Sequence, residues 1–139
     1  MKKPVHVSIE SFADGQRIRQ NAAGDLYRKG DHYYVRYDEA DPEMKGTVTT
    51  IKLEQDRIRL VRSGTVRSEL VFATGRECSG SYETPQGVLQ LQTMTRSITS
   101  ELIDGLGIVD WTYDLLVAGE KTGEFRLRLT IAELPAASS

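Results

Sequence analysis

The feature that most constrains this chain is a strict alternation of apolar and polar residues near its C-terminal end. Five apolar side chains take every second position of one stretch: Val109, Trp111, Tyr113, Leu115 and Val117. A period of two is typical of a β-strand with one buried face. After a polar connection at residues 120–123 the pattern restarts, with Phe125, Leu127, Leu129 and Ile131 on one face. It predicts an antiparallel hairpin that places Asp114 opposite Arg128 on the exposed face.

The same alternation recurs along most of the chain. Short connections that contain Gly, Asp or Ser separate alternating runs at residues 5–9, 47–53, 58–62 and 66–73. Residues 16–24 are polar, so they form either a loop or a strand with two polar faces. No stretch carries a helical apolar stripe, and the chain has no repeat of fixed period.

Two further segments extend this pattern. Residues 26–29 and 32–38 are two strands or one kinked strand, because Gly30 and Asp31 lie between them. A long, mostly polar strand is expected from residue 88 to about 103, with Leu89 and Leu91 as its clearest core positions. The chain between these segments turns at Pro85 and Gly87, residue types that favour tight turns.

The sum is an all-β chain of eight to ten strands in sequential antiparallel order. With no helix to cover exposed strand edges, a closed meander barrel is the economical arrangement, and a β-sandwich is the alternative. We expect a single barrel domain over residues 1–134, followed by a short flexible tail at residues 135–139. A chain of 139 residues is long enough to bury a core without metal or disulfide support.

Composition narrows the class of protein. The single cysteine, Cys78, excludes an intramolecular disulfide and suits a reducing compartment. Lys2 and Lys3 are followed by polar residues rather than the apolar run of a signal peptide, so we expect a cytoplasmic protein. The longest apolar runs are too short for a membrane span. A net charge of −2 lacks the basic footprint of a nucleic-acid binder.

The order of several short motifs resembles the YwiB family, small proteins of Gram-positive bacteria without an assigned biochemical function. The motifs are residues 34–39, 50–53 and 58–62, then Gly64, Phe72, Tyr82, Thr84, Pro85, Gly87 and Leu89. They span nearly the whole chain. The resemblance implies a lipocalin-like, calycin-type β-barrel and transfers no active site. Gln86 stands at a turn position where that family suggests an aromatic residue.

Arg62 is the first candidate for a binding residue. It shares strand parity with Ile58 and Leu60, so its side chain is expected to point toward the barrel interior near one end. An inward arginine is costly unless it is paired, and it could hold the carboxylate or phosphate of an amphipathic ligand. The alternatives are that it extends to the rim or pairs with a carboxylate of the protein.

Four apolar residues are candidates for the wall of a binding pocket: Leu70, Phe72, Trp111 and Tyr113. A barrel of this size has room for side chains or for one small ligand, and the pattern favours core packing of Trp111 and Tyr113 over a place in a pocket wall. Small polar side chains at inward positions leave room for a cavity: Thr47, Thr49, Ser68, Thr93 and Thr95. The sequence leaves the choice between filled and hollow barrel open.

Other polar groups do not form a recognisable reactive site. The carboxylates of the acidic segment at residues 38–43 lack the spacing of a calcium loop and indicate a solvated turn. His6, His32 and Cys78 lack the partners that metal binding or nucleophilic catalysis requires. We therefore expect no enzyme, no metal and no cofactor. The leading hypothesis is a barrel that binds a small amphipathic or apolar molecule, and the alternative is a filled barrel that meets an unidentified protein partner.

Overall fold

The computed structural model describes residues 2–39 and 42–134. Within these residues the chain forms ten strands: β1 (Lys2–Ala13), β2 (Gln16–Lys29), β3 (His32–Asp38), β4 (Val48–Leu53), β5 (Arg57–Ser63), β6 (Arg67–Ala73), β7 (Glu77–Thr84), β8 (Gly87–Ile103), β9 (Leu106–Val117) and β10 (Glu120–Glu133). A short 3₁₀ helix at Pro42–Met44 lies between β3 and β4. The tail predicted at residues 135–139, and Asp41 of the acidic segment, lie outside the described residues.

The strands form one closed antiparallel barrel. Each strand pairs with its neighbours in sequence, and β1 pairs with β10 to close the ring. This closure confirms the predicted meander barrel over the sandwich. It also leaves no sheet edge exposed, which is how an all-β chain avoids unpaired backbone groups without helices to cover them.

The barrel interior is filled mainly by the predicted apolar faces. The largest fully buried side chains include Trp111, Phe72, Ile51, Ile58, Leu129 and Ile131. The rings of Phe72 and Trp111 have centroids 5.5 Å apart, and those of Phe72 and Tyr113 are 4.6 Å apart. These are ordinary distances for packed aromatic pairs. The middle of the barrel is therefore a core of interlocking rings.

The ion pair predicted between Asp114 and Arg128 is wrong, because the hairpin turns earlier than expected. Its turn consists of Ala118 and Gly119, whose φ angles are 51° and 82°. Two successive residues with positive φ suit a two-residue hairpin turn. Arg128 therefore lies opposite Asp110, and its Nε atom donates to Asp110 Oδ2 at 3.0 Å.

Of the remaining strand predictions, some are confirmed and one is wrong. Residues 16–24 are strand rather than loop, and Gly30 lies in the turn that separates β2 from β3. Leu91 is buried as expected, whereas the prediction that Leu89 belongs to the core is wrong, because 45% of that residue is exposed. Its hairpin partner Tyr82 is also exposed. The tip of the β7–β8 hairpin thus extends past the buried core.

Candidate ligand-binding site

The strand register aligns one row of side chains across the inner face of the barrel. Residues directly opposite each other on paired strands point to the same face of a sheet. From β3 to β8 the row runs Tyr37, Thr49, Arg62, Ser68, Tyr82 and Leu89. Glu39 continues the inward parity of Tyr37 one step beyond the end of β3. We call the end of the barrel that carries this row and Glu39 the Arg62 end.

Arg62 and Glu39 form the charged centre of this end. The Nε atom of Arg62 lies 3.7 Å from Oε2 of Glu39. The Glu39 side chain is 1% exposed and that of Arg62 is 27% exposed. The same Oε2 atom accepts a hydrogen bond from Thr49 Oγ1 at 2.5 Å. The prediction that Arg62 points inward agrees with this arrangement, and its partner is a carboxylate of the protein.

Several buried polar atoms at this end have no hydrogen-bond partner among the described residues. They are Oε1 of Glu39, Nε of Arg62 and Oγ of Ser68. A buried polar atom without a partner costs roughly 1–3 kcal/mol, and more when the group is charged. Such atoms are therefore rare in folded proteins, and each has room for a further polar partner such as an ordered water, an ion or a ligand group.

The charges of Arg62 and Glu39 affect the pKa values of two buried tyrosines, Tyr37 and Tyr113. Burial, aided by the negative charge of Glu39, raises the pKa of Tyr37 well above its usual range. Burial also raises the pKa of Tyr113 to about 12, and the positive charge of Arg62 opposes this rise. Both phenols therefore stay protonated at neutral pH, and the fixed charges near them are those of one carboxylate and one guanidinium.

An apolar surface adjoins the charged pair. Tyr82 and Leu89 lie opposite each other at the tip of the β7–β8 hairpin, 37% and 45% exposed respectively. They share the inner face with Arg62, because Ser68 pairs with both Arg62 and Tyr82. Leu70 follows Ser68 on that face and is partly buried. The Arg62 end thus combines a largely buried ion pair with an exposed apolar rim formed by Tyr82 and Leu89.

The structure does not bring all five sequence-predicted site residues to one place on the surface. Arg62 is accessible and Leu70 lies near it, whereas Phe72 and Trp111 are fully buried in the packed core. Tyr113 is also buried, with its hydroxyl within the field of Arg62. Nε1 of Trp111 has no hydrogen-bond partner among the described residues. These positions favour a ligand at the end of the barrel over one in its middle.

One small, partly open space lies in the wall of the barrel. It is lined by Val7, Ile9, Gln20, Asn21, Ala22 and Tyr37 and has a volume of about 10 Å³. A single water molecule needs about 10–15 Å³, so this void is too small for an organic ligand. It does not change the placement of the candidate site.

Glu39 is the residue of the candidate site that the sequence analysis did not identify. The acidic segment at residues 38–43 predicts a solvated turn, yet Glu39 is the only charged residue that is buried within residues 2–39 and 42–134. The signal was present in the sequence, because Val35, Tyr37 and Glu39 share one parity and the first two are core residues. A backbone hydrogen bond from the Glu39 amide to the Thr47 carbonyl extends the strand pairing past the end of β3.

The other possible metal ligands and nucleophiles do not form a cluster in the described residues. Among residues 2–39 and 42–134, no group of three His, Cys, Asp or Glu side chains is placed to hold a metal ion. Cys78 is partly buried opposite Thr93. His32 lies on the outer surface with its Nε2 atom 3.6 Å from Glu54. In the same described residues, no helix has the length and apolar character to cross a bilayer.

A shallow groove of about 540 Å³ lies on the outer face. It is lined by Ser97, Thr99, Glu101, Ile108, Asp110, Thr112, Arg126 and Arg128. The hydrogen bond from Arg126, together with that from Arg128, lowers the pKa of Asp110 against the opposing effect of burial. The two arginines are thus already engaged by a carboxylate, which leaves them less available to an external anion.

A second outer feature combines aromatic rings and cations. The rings of Tyr27 and Tyr34 stack with centroids 5.5 Å apart and planes 6° apart. Lys29 Nζ lies 5.9 Å from the Tyr27 centroid and 5.6 Å from that of Tyr34, and Lys52 Nζ lies 5.8 Å from the latter. These distances are typical of cation–π contacts, so the cluster is stabilised by its own members.

Comparison with known proteins identifies relatives of the whole barrel. The family model described as "Domain of unknown function (DUF1934)" matches residues 5–129. The "Uncharacterized beta-barrel protein YwiB" of Bacillus subtilis (strain 168) is 28% identical over 122 residues, which cover 88% of this chain and 85% of that protein. The crystal structure of the ywiB protein from Bacillus subtilis superposes with a TM-score of 0.79 at 23% identity, covering 96% of this chain and 93% of that one.

Proposed function

The chain belongs to the DUF1934 family, and we propose that it is a cytoplasmic, non-catalytic barrel that binds a small amphipathic molecule at the Arg62 end. The family match and the similarity to YwiB confirm the predicted relationship and the β-barrel fold. They carry no assigned ligand, so the proposal depends on the side chains of this chain. The observation that supports it most is the pairing of unsatisfied buried polar atoms with an exposed apolar rim.

The polar part of the site supports binding over a purely structural role. Arg62 and Glu39 lie 3.7 Å apart, and Nε of one and Oε1 of the other lack hydrogen bonds among the described residues. A structural ion pair is expected to be closer and more fully hydrogen-bonded, because burying charges is otherwise unfavourable. The long separation leaves one unused hydrogen-bonding atom on each partner, and this supports a polar group that completes both.

The apolar part of the site supports an amphipathic ligand over a small ion. Tyr82 and Leu89 are large apolar residues with 37% and 45% exposure, and they lie on the same face as Arg62. Covering such side chains is favourable by about 25 cal/mol for each Å² removed from water. A short alkyl or aromatic group that lies on this rim would bury them while its polar end reaches the charged pair.

The second candidate function is a protein-interaction module with a filled barrel. It is favoured by the ring packing of Phe72, Trp111 and Tyr113, which fills the middle of the barrel. Exposed apolar residues elsewhere also suit a protein partner, above all Ile103, which is 80% exposed. This alternative predicts no dependence of any small-molecule binding on Arg62.

Native mass spectrometry of the protein purified from its own cytoplasm tests the proposal. We expect an adduct that is absent from the denatured mass, that disappears in Arg62→Ala, and that persists in Arg126→Ala as the control on the outer face. A bare mass, together with no thermal stabilisation by a library of small amphiphiles, would instead support the protein-interaction module.

A further inference from the structure

We infer that the polar end of the ligand is a neutral group that both accepts and donates hydrogen bonds, such as an amide or a hydroxyl, and is not a free anion. This inference rests on the proposed function and specifies the chemistry of the same site. It follows from the charges, the free atoms and the burial at the Arg62 end.

The fixed charge at the site sums to zero. Arg62 contributes one positive charge and Glu39 contributes one negative charge 3.7 Å away. The charges that act on the neighbouring phenol of Tyr37 are those of the same two residues, and the charge that acts on Tyr113 is that of Arg62. An anion would gain attraction from Arg62 and would lose a similar amount to Glu39. A net-neutral site therefore gives a charged head group little advantage to offset its desolvation.

The buried atoms without a hydrogen-bond partner require both a donor and an acceptor from a ligand. Nε of Arg62 is a donor without an acceptor among the described residues. The Tyr37 phenol hydrogen-bonds with the Glu39 side chain, and the Oε1 atom of that carboxylate is still an acceptor without a donor. Ser68 Oγ, next to Arg62 across the strands, can serve as either. A carboxylate or phosphate dianion only accepts, and an ammonium only donates. An amide or a hydroxyl supplies both and leaves no buried charge unpaired.

The other carboxylate oxygen reinforces this requirement. Oε2 of Glu39 is occupied by the hydrogen bond from Thr49 Oγ1 at 2.5 Å. Thr49 is fully buried, as is the Glu39 side chain, so the carboxylate is fixed in place. The orientation of Oε1 is thus set before any ligand arrives, and preorganised polar groups discriminate strongly against ligands that leave them unpaired.

Three probes with one tail and different head groups test the inference. Octanamide both donates and accepts, octanoate only accepts, and octylammonium only donates at neutral pH. Isothermal titration of the whole protein with each is expected to show octanamide binding at least about tenfold more tightly than either ion. The tail is the same in all three, so the ratio reports the head group alone.

Two charge-neutralising variants should change which of the three probes binds most tightly. Glu39→Gln removes the negative charge, so octanoate should then become the preferred probe. Arg62→Gln removes the positive charge, so octylammonium should then be preferred. Asp110→Asn changes a charged cluster on the outer face and should leave the order of the three probes unchanged.

The outcomes separate this inference from the proposed function. If octanoate or octylammonium binds the unmodified protein most tightly, the inference is overturned while the binding function stands. If none of the three probes binds and none stabilises the protein to heat, the proposed function itself fails. The comparison on the unmodified protein needs no variant to fold, so it decides the question even where a substitution destabilises the barrel.

Discussion

Arg62 on β5 and Glu39 beyond the end of β3 face each other inside one end of the barrel, with 3.7 Å between Nε and Oε2. Thr49, on the strand between them, donates a hydrogen bond to the same carboxylate. Three neighbouring segments are thus linked by side chains as well as by backbone pairing. The stability of this end and the binding that we propose for it depend on the same three residues.

The Arg62–Glu39 pair should behave as a unit in unfolding. Glu39→Leu leaves a half-buried guanidinium without its partner, so we expect a loss of about 1–3 kcal/mol in the free energy of unfolding. Combining it with Arg62→Met removes both charges, and the double variant should lose less than the sum of the single losses, by about 0.5–3 kcal/mol. Urea denaturation of the four proteins measures this coupling.

The exposed pair of Lys121 and Glu124 is the matched control for that cycle. Their side chains are 50% and 58% exposed, so the coupling between them should stay below about 0.5 kcal/mol. Additive losses at Glu39 and Arg62 would show that the two charges do not interact in the folded protein.

Trp111 should be among the most costly residues to truncate. It is fully buried and its ring packs against that of Phe72. We expect Trp111→Ala to lower the free energy of unfolding by about 3–5 kcal/mol, because it removes apolar contacts and leaves a cavity. Ile103→Ala, at an exposed position, should change it by less than about 0.5 kcal/mol. A stable Trp111→Ala protein would contradict the account of a filled core.

Alkaline pH should destabilise the barrel through its buried phenols. Burial raises the pKa of Tyr113 to about 12, so the folded state holds this proton more tightly than the unfolded state does. Its contribution to stability is complete below about pH 10, the unfolded value, and is lost as the pH rises toward about 12. Tyr113→Phe has no proton to lose there, so its free energy of unfolding should fall less steeply over that interval. Equal slopes for the two proteins would contradict this.

Acid should act through Asp110 on the outer face. Hydrogen bonds from Arg126 and Arg128 lower the pKa of this carboxyl below its unfolded value. The resulting stabilisation is present above about pH 4 and is lost as the pH falls through the lowered pKa. The difference in free energy of unfolding between the unmodified protein and Asp110→Asn should therefore shrink under acid. A difference that stays constant with pH would show that Asp110 contributes through shape alone.

The turn after β5 should depend on its glycine. Gly64 has a φ of 127°, and a side chain there would overlap the carbonyl oxygen of Gly46. Gly30 also has a positive φ, but a side chain there would meet open space. Gly64→Ala should therefore lower the melting temperature more than Gly30→Ala, because a backbone overlap adds to the conformational strain. Equal shifts would contradict the close approach of the two loops.

Alternation along the chain predicted the all-β class and most of the strands, because burial of one face imposes a period of two on a sheet. It left a closed barrel and a sandwich as alternatives, and the family resemblance favoured the barrel that the structure shows. Alternation failed where a local turn decides the register. The two-residue turn at Ala118 and Gly119 lacks a turn signature as strong as Asn-Gly, and the partner of Arg128 was therefore misplaced. Leu89 was assigned to the core because its parity is correct, while its exposure depends on how far the β7–β8 hairpin extends.

The sequence predicted only part of the candidate site, because local strand parity can be read from one chain and contacts between strands cannot. The inward direction of Arg62 follows from its position on the same strand face as Ile58 and Leu60, and a single sequence is enough to show this. Its pairing with Glu39 depends on two strands that are neighbours of a common third, a relationship that only the assembled sheet shows. The filling of the barrel middle by Phe72 and Trp111 depends likewise on ring packing between distant segments.

We propose above that the Arg62 end of the barrel binds a small amphipathic molecule. The most direct measurement is a map of backbone amide NMR shifts during titration of the unmodified protein with octanamide. The account predicts that the largest shifts cluster on Arg62, Ser68, Tyr82 and Leu89 and saturate together. Shifts centred on the outer groove at Asp110 and Arg126, or no shifts with saturating octanamide, octanoate or octylammonium, would contradict it.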